Sequence, residues 1–334
     1  MTSLVTGASG FLGGWLVRQL ISRGESVRVL LRPESDRSRL AQEVEVCIGR
    51  LEDPSSLTAA TTGVHYIYHC AALSTDWGPT AEFMRANVDG VENLLRAAHG
   101  NRELRRFVHV SSTDVYGYPR QVGDEEVASR ACNLPYHRSK LLGERAIWRF
   151  AEQHGMPVTV VRPATIYGPH ALSTVGEFAR AIEADDFVWI AGGRPRAGLI
   201  YVEDVASAMV CAATSERALG RAYNLCDPRP TTWREYIEVL AAGIGARVGG
   251  LSLPGALAYG LAAASEVWAR VVGKRRPLLT RHAVLLMARD QGYCSDRARR
   301  ELGFESSVSF EEGMTRTLAW WNHRRAEFTE SAAT

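Results

Sequence analysis

The strongest constraint on this chain lies at its start. A short apolar run, Ser3–Thr6, passes directly into TGASGFLGG, and an amphipathic pattern follows over Phe11–Arg23. Gly7, Gly10 and Gly13 recur every three residues. Strand, glycine turn and helix in that order form a cradle. Glycines let the backbone turn tightly and lie close to a pyrophosphate, and the helix N-terminus behind them carries partial positive charge. The turn predicts a dinucleotide site formed by Gly7, Ser9, Gly10, Phe11, Leu12 and Gly13. The alternative is a packing turn without ligand, and a position directly after the first strand argues against it.

The rhythm downstream sets the fold class. Apolar, β-branched runs at Val27–Leu31, Val44–Ile48, Tyr66–Cys70, Phe107–Val110 and Val158–Val161 alternate with helical patterns at Ser55–Ala60, Ala81–Ala98 and Pro135–Glu152. Such alternation implies right-handed crossovers and a parallel sheet covered on both faces. The expected class is α/β: a Rossmann-type doubly wound sheet of order 3-2-1-4-5-6 with a seventh strand. Beyond residue 170 helical segments dominate, with short strands at Leu199–Val202 and Ala222–Leu225. The expected organisation is a dinucleotide-binding domain over 1–170, a smaller substrate lobe over 171–325 and a tail over 326–334.

The charges, 39 basic against 37 acidic, give no concentrated basic face for nucleic acid. The six cysteines contain no CxxC pair, which points to free thiols in a reducing compartment, so a cytoplasmic protein without a metal site is expected. Segment 253–273 is apolar but interrupted by Glu266 and Arg270, which excludes a membrane-spanning helix. It reads as a helix buried in the substrate lobe, with an interfacial helix as the alternative.

Two later stretches carry chemistry. The fifth strand ends in FVHVSSTDVYG, and LPYHRSK follows about twenty residues on. Tyr136 and Lys140 are four apart and share a helix face. A tyrosine hydroxyl is a weak acid, and a nearby ammonium favours its phenolate, so the pair fits proton transfer coupled to hydride transfer at a carbon–oxygen bond. Alone the spacing is common on helix surfaces. Together with the glycine turn, TGASGFLG and these stretches resemble the extended short-chain dehydrogenase/reductase family. AALSTDWGP and the carboxyl-terminal LTRHAVLLMARDQGYCSDRARRELGF look like its 3β-hydroxysteroid dehydrogenase-type members, within the NAD-dependent epimerase/dehydratase superfamily.

The resemblance implies a catalytic set of Ser112, Tyr136 and Lys140, with Ser111 or Thr113 as the hydroxyl if the register shifts by one. It also implies cofactor contacts from Ala71, Ala72, Asn87, Pro163, Thr165 and Ile166. Leu31 stands where the family often has an acid for the ribose, and Arg32 follows, so NADP(H) is expected ahead of NAD(H). Arg37 and Arg39 lie nearby. Arg50 replaces the family's adenine-contacting Asp, which leaves Leu51 to contribute through its backbone. Asp76, Trp77 and Thr113 are candidate substrate contacts, and a homodimer through the helix after Asn87 and the helix bearing Tyr136 is implied. Sugar dehydratases of this fold carry two acids after the catalytic hydroxyl; here Thr113 and Asp114 supply one. Ala197 stands where nucleotide-sugar epimerases usually place a diphosphate-binding Arg, with Arg196 one position away. The leading expectation is a ketoreductase or alcohol dehydrogenase for a lipophilic small molecule. A nucleotide-sugar epimerase and a cofactor-binding regulator without turnover are the alternatives.

Overall fold

The structure, a computed structural model, describes residues 1–119, 123–130, 132–273 and 276–333. The first half alternates as expected: β1 Thr2–Thr6, α1 Phe11–Ser22, β2 Ser26–Leu31, β3 Glu45–Ile48, α2 Pro54–Thr61, β4 Tyr66–His69, α3 Thr80–Met84, α4 Gly90–His99, β5 Arg106–Val110, α5 Pro135–His154 and β6 Val158–Pro163. The second half contains β7 Thr165–Tyr167, α6 Glu177–Glu183, β8 Trp189–Ile190, β9 Leu199–Tyr201, α7 Val202–Thr214, β10 Ala222–Leu225, α8 Trp233–Gly243, β11 Ser252–Leu253, α9 Gly255–Val271, α10 Arg281–Ala288, α11 Asp296–Leu302 and α12 Phe310–Ala333.

Seven parallel strands run in the order β10-β6-β5-β4-β1-β2-β3. The inner strands are covered on both faces, so β4 and β6 are buried along their whole length rather than at alternate positions. One face is covered by α1, α7 and α11, whose Leu16, Leu20, Val205, Met209 and Leu302 share a core with the strands. The other is covered by α2, α4 and α5, through Leu57, Leu94 and Ile147. A separate aromatic core gathers Tyr167, Trp189, Tyr201, Trp233, Tyr236, Phe310 and Trp321 from the second half. The sheet order reverses between β1 and β4, and ligands of open α/β sheets bind at the strands' carboxyl ends beside such a point.

Two helices depart from their sequence patterns. The helix expected over 81–98 is interrupted by a π turn, Arg85–Asp89, which turns the buried Asn87 inward. The last helix continues to Ala333, through the stretch expected to be a tail, because residues 324–333 are rich in helix-forming Arg, Ala and Glu.

The end of β5 is held by a buried ion pair. Arg162 on β6 donates through Nε to Glu144 Oε2 at 3.1 Å and through a second nitrogen to Oε1, while Ser111 Oγ donates to Oε2 at 2.6 Å and Trp148 Nε1 to Oε1 at 3.1 Å. Arg162 also donates to the Tyr116 hydroxyl at 2.6 Å. Removing one partner of such a pair leaves a buried, uncompensated charge. Arg162→Met is therefore expected to cost about 3–5 kcal/mol in urea unfolding, and Glu144→Leu/Arg162→Met to recover most of it. A single-variant loss below about 1 kcal/mol would show that Glu144 does not depend on Arg162.

Candidate active site

The glycine turn has the shape a pyrophosphate needs. Gly7 has φ +73°, and a Cβ there would lie 2.7 Å from the Ala71 nitrogen; one at Gly13 would lie 2.2 Å from the Gly7 carbonyl oxygen. Both positions therefore exclude a side chain. Gly10 caps α1 without a side-chain hydrogen bond, and no acid stands in the first turn. The N–H groups of that turn are thus left for an anionic ligand, so the residues present fit a dinucleotide.

At the carboxyl end of β5, the extended Ser112 (φ −159°, ψ 156°) caps a 3-10 turn, Thr113–Tyr116. Ser111 is committed to Glu144, whereas Ser112 Oγ meets Asp114, donating to Oδ2 at 3.0 Å and accepting from the backbone N–H at 3.1 Å. Successive residues on extended backbone point to opposite sides, which separates the two serines. Thr113 is buried. Pro135 opens α5 and Gly155, at φ 64°, closes it. Tyr136 lies in the first turn, its phenol within reach of the Ser112 hydroxyl. Lys140, one turn on, is buried and donates to the Val110 carbonyl at 2.6 Å.

The electrostatics differ from the sequence expectation. Burial and the Asp114 carboxylate push the Tyr136 hydroxyl well above its ordinary value, and the hydrogen bond with Ser112 only partly offsets them. The Lys140 amine donates to the Val110 carbonyl and is not among the groups that shift Tyr136. Burial instead pulls that amine down to about 8, against the opposing pull of Glu144, Cys70 and Asp114. His69 and His109 are buried strand residues, and burial holds His69 down at about 3.

Three residues beside Tyr136 escaped the sequence reading. His137 is fully buried with Nε2 3.6 Å from Asp114 Oδ1; that oxygen also accepts from the Tyr118 hydroxyl at 2.5 Å. His282, from α10, sets its ring centroid 4.7 Å from His137 and 5.6 Å from Tyr136, tilted 40° and 50° to them. Ligand-type atoms of Asp114, His137 and His282 lie within 4.8 Å of one another, a grouping no local spacing announced. Asp114 was visible only as a lone acid after Thr113. His282 lies more than a hundred residues from its partners, beyond any motif.

The segment after β4 is clasped to the second half. Asp76 accepts from Arg276 through both oxygens at 2.7 Å and from Thr280 at 2.7 Å, and Arg270 lies 4.9 Å over the Trp77 ring. Asp76, expected near substrate, thus has its carboxylate taken by the clasp. The Asn87 side chain is likewise taken, accepting from Leu73 N–H and donating to the Leu73 carbonyl and to Ser139. A Cβ on Gly143 would lie 2.2 Å from the Asn87 carbonyl, so α5 and the π turn meet at backbone distance. Ala71 donates to Thr6 Oγ1 at 3.3 Å, while Ala72 is exposed. Pro163 and Thr165 are buried, and Ile166 accepts from Thr174.

At the far edge, Arg32 is exposed at the end of β2 and Arg50 follows β3. Glu34 stands between them, bound to Arg50 at 2.7 Å and 3.7 Å from Arg32. Leu51 uses its carbonyl to accept from Asn93. Arg196 is held by Asp290 at 2.8 and 3.0 Å, and Ala197 is fully buried.

The NAD dependent epimerase/dehydratase family matches residues 3–226. A Stigmatella aurantiaca protein, 4-hydroxy-2-methyl-3-oxo-4-farnesyl-3,4-dihydroquinoline-1-oxide ketoreductase, is 33% identical over 94% of this chain and 95% of its own length. A Stenotrophomonas maltophilia 2-alkyl-3-oxoalkanoate reductase is 28% identical over 96% of this chain and 99% of its own. The UDP-glucose 4-epimerase of Thermotoga maritima superposes with a TM-score of 0.78 at 22% identity, covering 97% and 99% of the two chains, a likeness of fold.

Lys140 is one of only two lysines; the other, Lys274, lies outside the described residues. Lysine-selective isotope labelling therefore yields two side-chain signals. One is expected to titrate near 8. Because folding lowers this value, stability from Lys140 rises with pH between about 8 and its unfolded value of about 10.4. Two titrations above about 10 would refute the buried, desolvated ammonium.

Proposed function

We propose that this chain, which belongs to the NAD dependent epimerase/dehydratase family, is a ketoreductase interconverting a lipophilic ketone and its secondary alcohol, with NADP(H) preferred. Its standing as an NAD(P)-dependent oxidoreductase acting on CH–OH and C=O groups rests on the family and on the reductases it resembles. The observation that carries the finer reading is the convergence of Ser112, Tyr136 and Lys140 at the carboxyl edge of β5, beneath a lobe with an aromatic core.

When bound, the nicotinamide cofactor supplies or accepts the hydride. The glycine turn and the α1 N-terminus would hold its pyrophosphate, and Arg32 its 2′-phosphate. In reduction, Tyr136 donates its proton to the substrate oxygen and Ser112 stabilises charge developing there. The raised Tyr136 value keeps that proton in place until a strongly basic oxygen forms. Lys140 holds positive charge beneath the pair. Asp114 fixes the Ser112 hydroxyl and keeps Tyr136 protonated. In oxidation the proton path reverses.

A nucleotide-sugar substrate fits poorly. Arg196, the nearest guanidinium to the usual diphosphate position, is already paired with Asp290. The farnesyl and alkyl ketones named for the two relatives are lipophilic, and substrates of that kind need no such cation.

The test is NADPH oxidation with a long-chain 3-oxo ester. Tyr136→Phe is expected to lower kcat at least about a hundredfold while cofactor still binds, since general acid catalysis contributes about 10²–10⁴. Unchanged turnover removes Tyr136 from the chemistry. Arg32→Asp is expected to weaken NADPH about 10–100-fold and NADH far less, the range for losing a charged hydrogen bond. Equal weakening of both cofactors would refute the 2′-phosphate assignment.

A further inference from the structure

Two buried carboxylates stand at the site, and their neighbours differ. Glu144 is paired with the Arg162 guanidinium. Asp114 is also buried, but among the described residues no lysine or arginine stands within ion-pairing distance of it; its ionic neighbour is His137. Its oxygens accept from two neutral hydroxyls, Ser112 at 3.0 Å and Tyr118 at 2.5 Å. Buried charges are ordinarily paired or coordinate a metal.

The imidazoles beside Asp114 are unsatisfied as well. His137 is fully buried, and neither of its ring nitrogens has a hydrogen-bond partner among the described residues. Its Nε2 lies 3.6 Å from Asp114 Oδ1, too far for the bond a protonated ring makes with a carboxylate. His282 reaches the same place from α10, and its buried Nδ1 also has no partner. Ligand-type atoms of the three residues lie within 4.8 Å of one another, and no other three His, Cys, Asp or Glu side chains converge this way among the described residues. Three lone-pair donors so close together suit one shared acceptor, a divalent cation. Two imidazoles and one carboxylate favour zinc and its first-row neighbours over calcium or magnesium. Tetrahedral zinc, with bonds of about 2.0–2.1 Å, sets its ligands about 3.4 Å apart. His137 and Asp114 already stand near that separation, and the remaining adjustment falls to His282, which is only half-buried.

We propose that Asp114, His137 and His282 form a binding site for a divalent transition-metal ion of the zinc class. Asp114 follows β5, His137 opens α5 and His282 belongs to α10 of the second half. A shared ion therefore clamps α10 to the edge of the sheet beside Tyr136. Three protein ligands leave a fourth position for water. The site goes beyond the ketoreductase reading and does not depend on it. Cysteine spacing gave no sign of it, because its ligands come from three separate elements.

The experiment titrates Co²⁺, a coloured stand-in for Zn²⁺, into the full chain, kept reduced and stripped of metal with a chelator. The unfolding temperature is read with and without Zn²⁺. The wild-type chain is expected to bind about one Co²⁺, with the visible bands of a nitrogen–oxygen site and no thiolate-to-cobalt charge transfer. Zn²⁺ is expected to displace the cobalt and to raise the unfolding temperature, since an ion held only by the folded chain stabilises it. His282→Ala is expected to weaken Zn²⁺ binding at least about 100-fold and to remove the thermal shift, because even groups behind the ligands are worth about 10–100-fold in metal affinity. His282→Cys is expected to restore binding and to add the thiolate-to-cobalt band, which places that side chain on the ion. The proposal is overturned by a wild-type chain without saturable Co²⁺ binding, or by a thiolate band in the wild-type chain, which assigns the ion to cysteines. Undiminished binding by His282→Ala, or His282→Cys without the new band, overturns it equally.

Discussion

The site depends on one buried carboxylate. Glu144 receives Arg162 from β6, Ser111 from the end of β5 and Trp148 from its own helix. A buried carboxylate without these donors would give up its charge or destabilise the fold. Burial is the largest single effect on Glu144 and raises its value, but the Arg162 guanidinium and the Ser111 and Trp148 donors together outweigh it and hold the carboxyl below the usual range. Three consequences follow. Engaging Ser111 leaves Ser112 directed toward Asp114 and Tyr136. Fixing α5 to the sheet sets the height of Tyr136 over the strand end. Lys140, one turn before Glu144, is drawn under the Val110 carbonyl.

That arrangement gives the two titrating groups opposite biases. Tyr136 holds its proton more tightly than a free phenol, and Lys140 holds its own less tightly than a free amine. Both shifts have burial as their leading cause, because burial disfavours the charged form of each. In the mechanism proposed above, the pair is a proton donor over a cation. This suits the reductive direction, in which the oxygen that forms is a far stronger base than phenolate.

The legible parts of this molecule were those written in short-range chemistry. The glycine turn announces itself because Gly7 and Gly13 sit where a side chain would collide with backbone. The parallel sheet follows from short apolar runs spaced by helix patterns, and β10 took the seventh place from a segment already read as a strand. Tyr136 and Lys140 are one turn apart, so spacing alone put them on one face. Other features depend on contacts that sequence distance hides. His137 looked idle because its partners, Asp114 and His282, come from a different turn and a different lobe. Asp76 looked available because Arg276 lies two hundred residues away. Arg50 looked like a lost adenine contact, whereas it forms an ion pair with Glu34, two residues after Arg32.

The contacts divide the candidate site between two parts of the chain. The Glu144 cluster, the glycine turn and the Ser112–Tyr136–Lys140 set all belong to the first 163 residues. The contacts bordering the site from the other side come from 266–282: Glu266 to Arg281, Arg270 to Trp77, Arg276 and Thr280 to Asp76, and His282 to Tyr136 and His137. Each reaches residues of the first half or positions one that does. Changes in this short stretch can alter what reaches Tyr136 without disturbing the buried pair that holds Tyr136 in place. The same stretch contains most of α9's exposed apolar surface and the basic run that follows it. A substitution that makes this segment polar therefore changes both the surface of the molecule and the border of the candidate site.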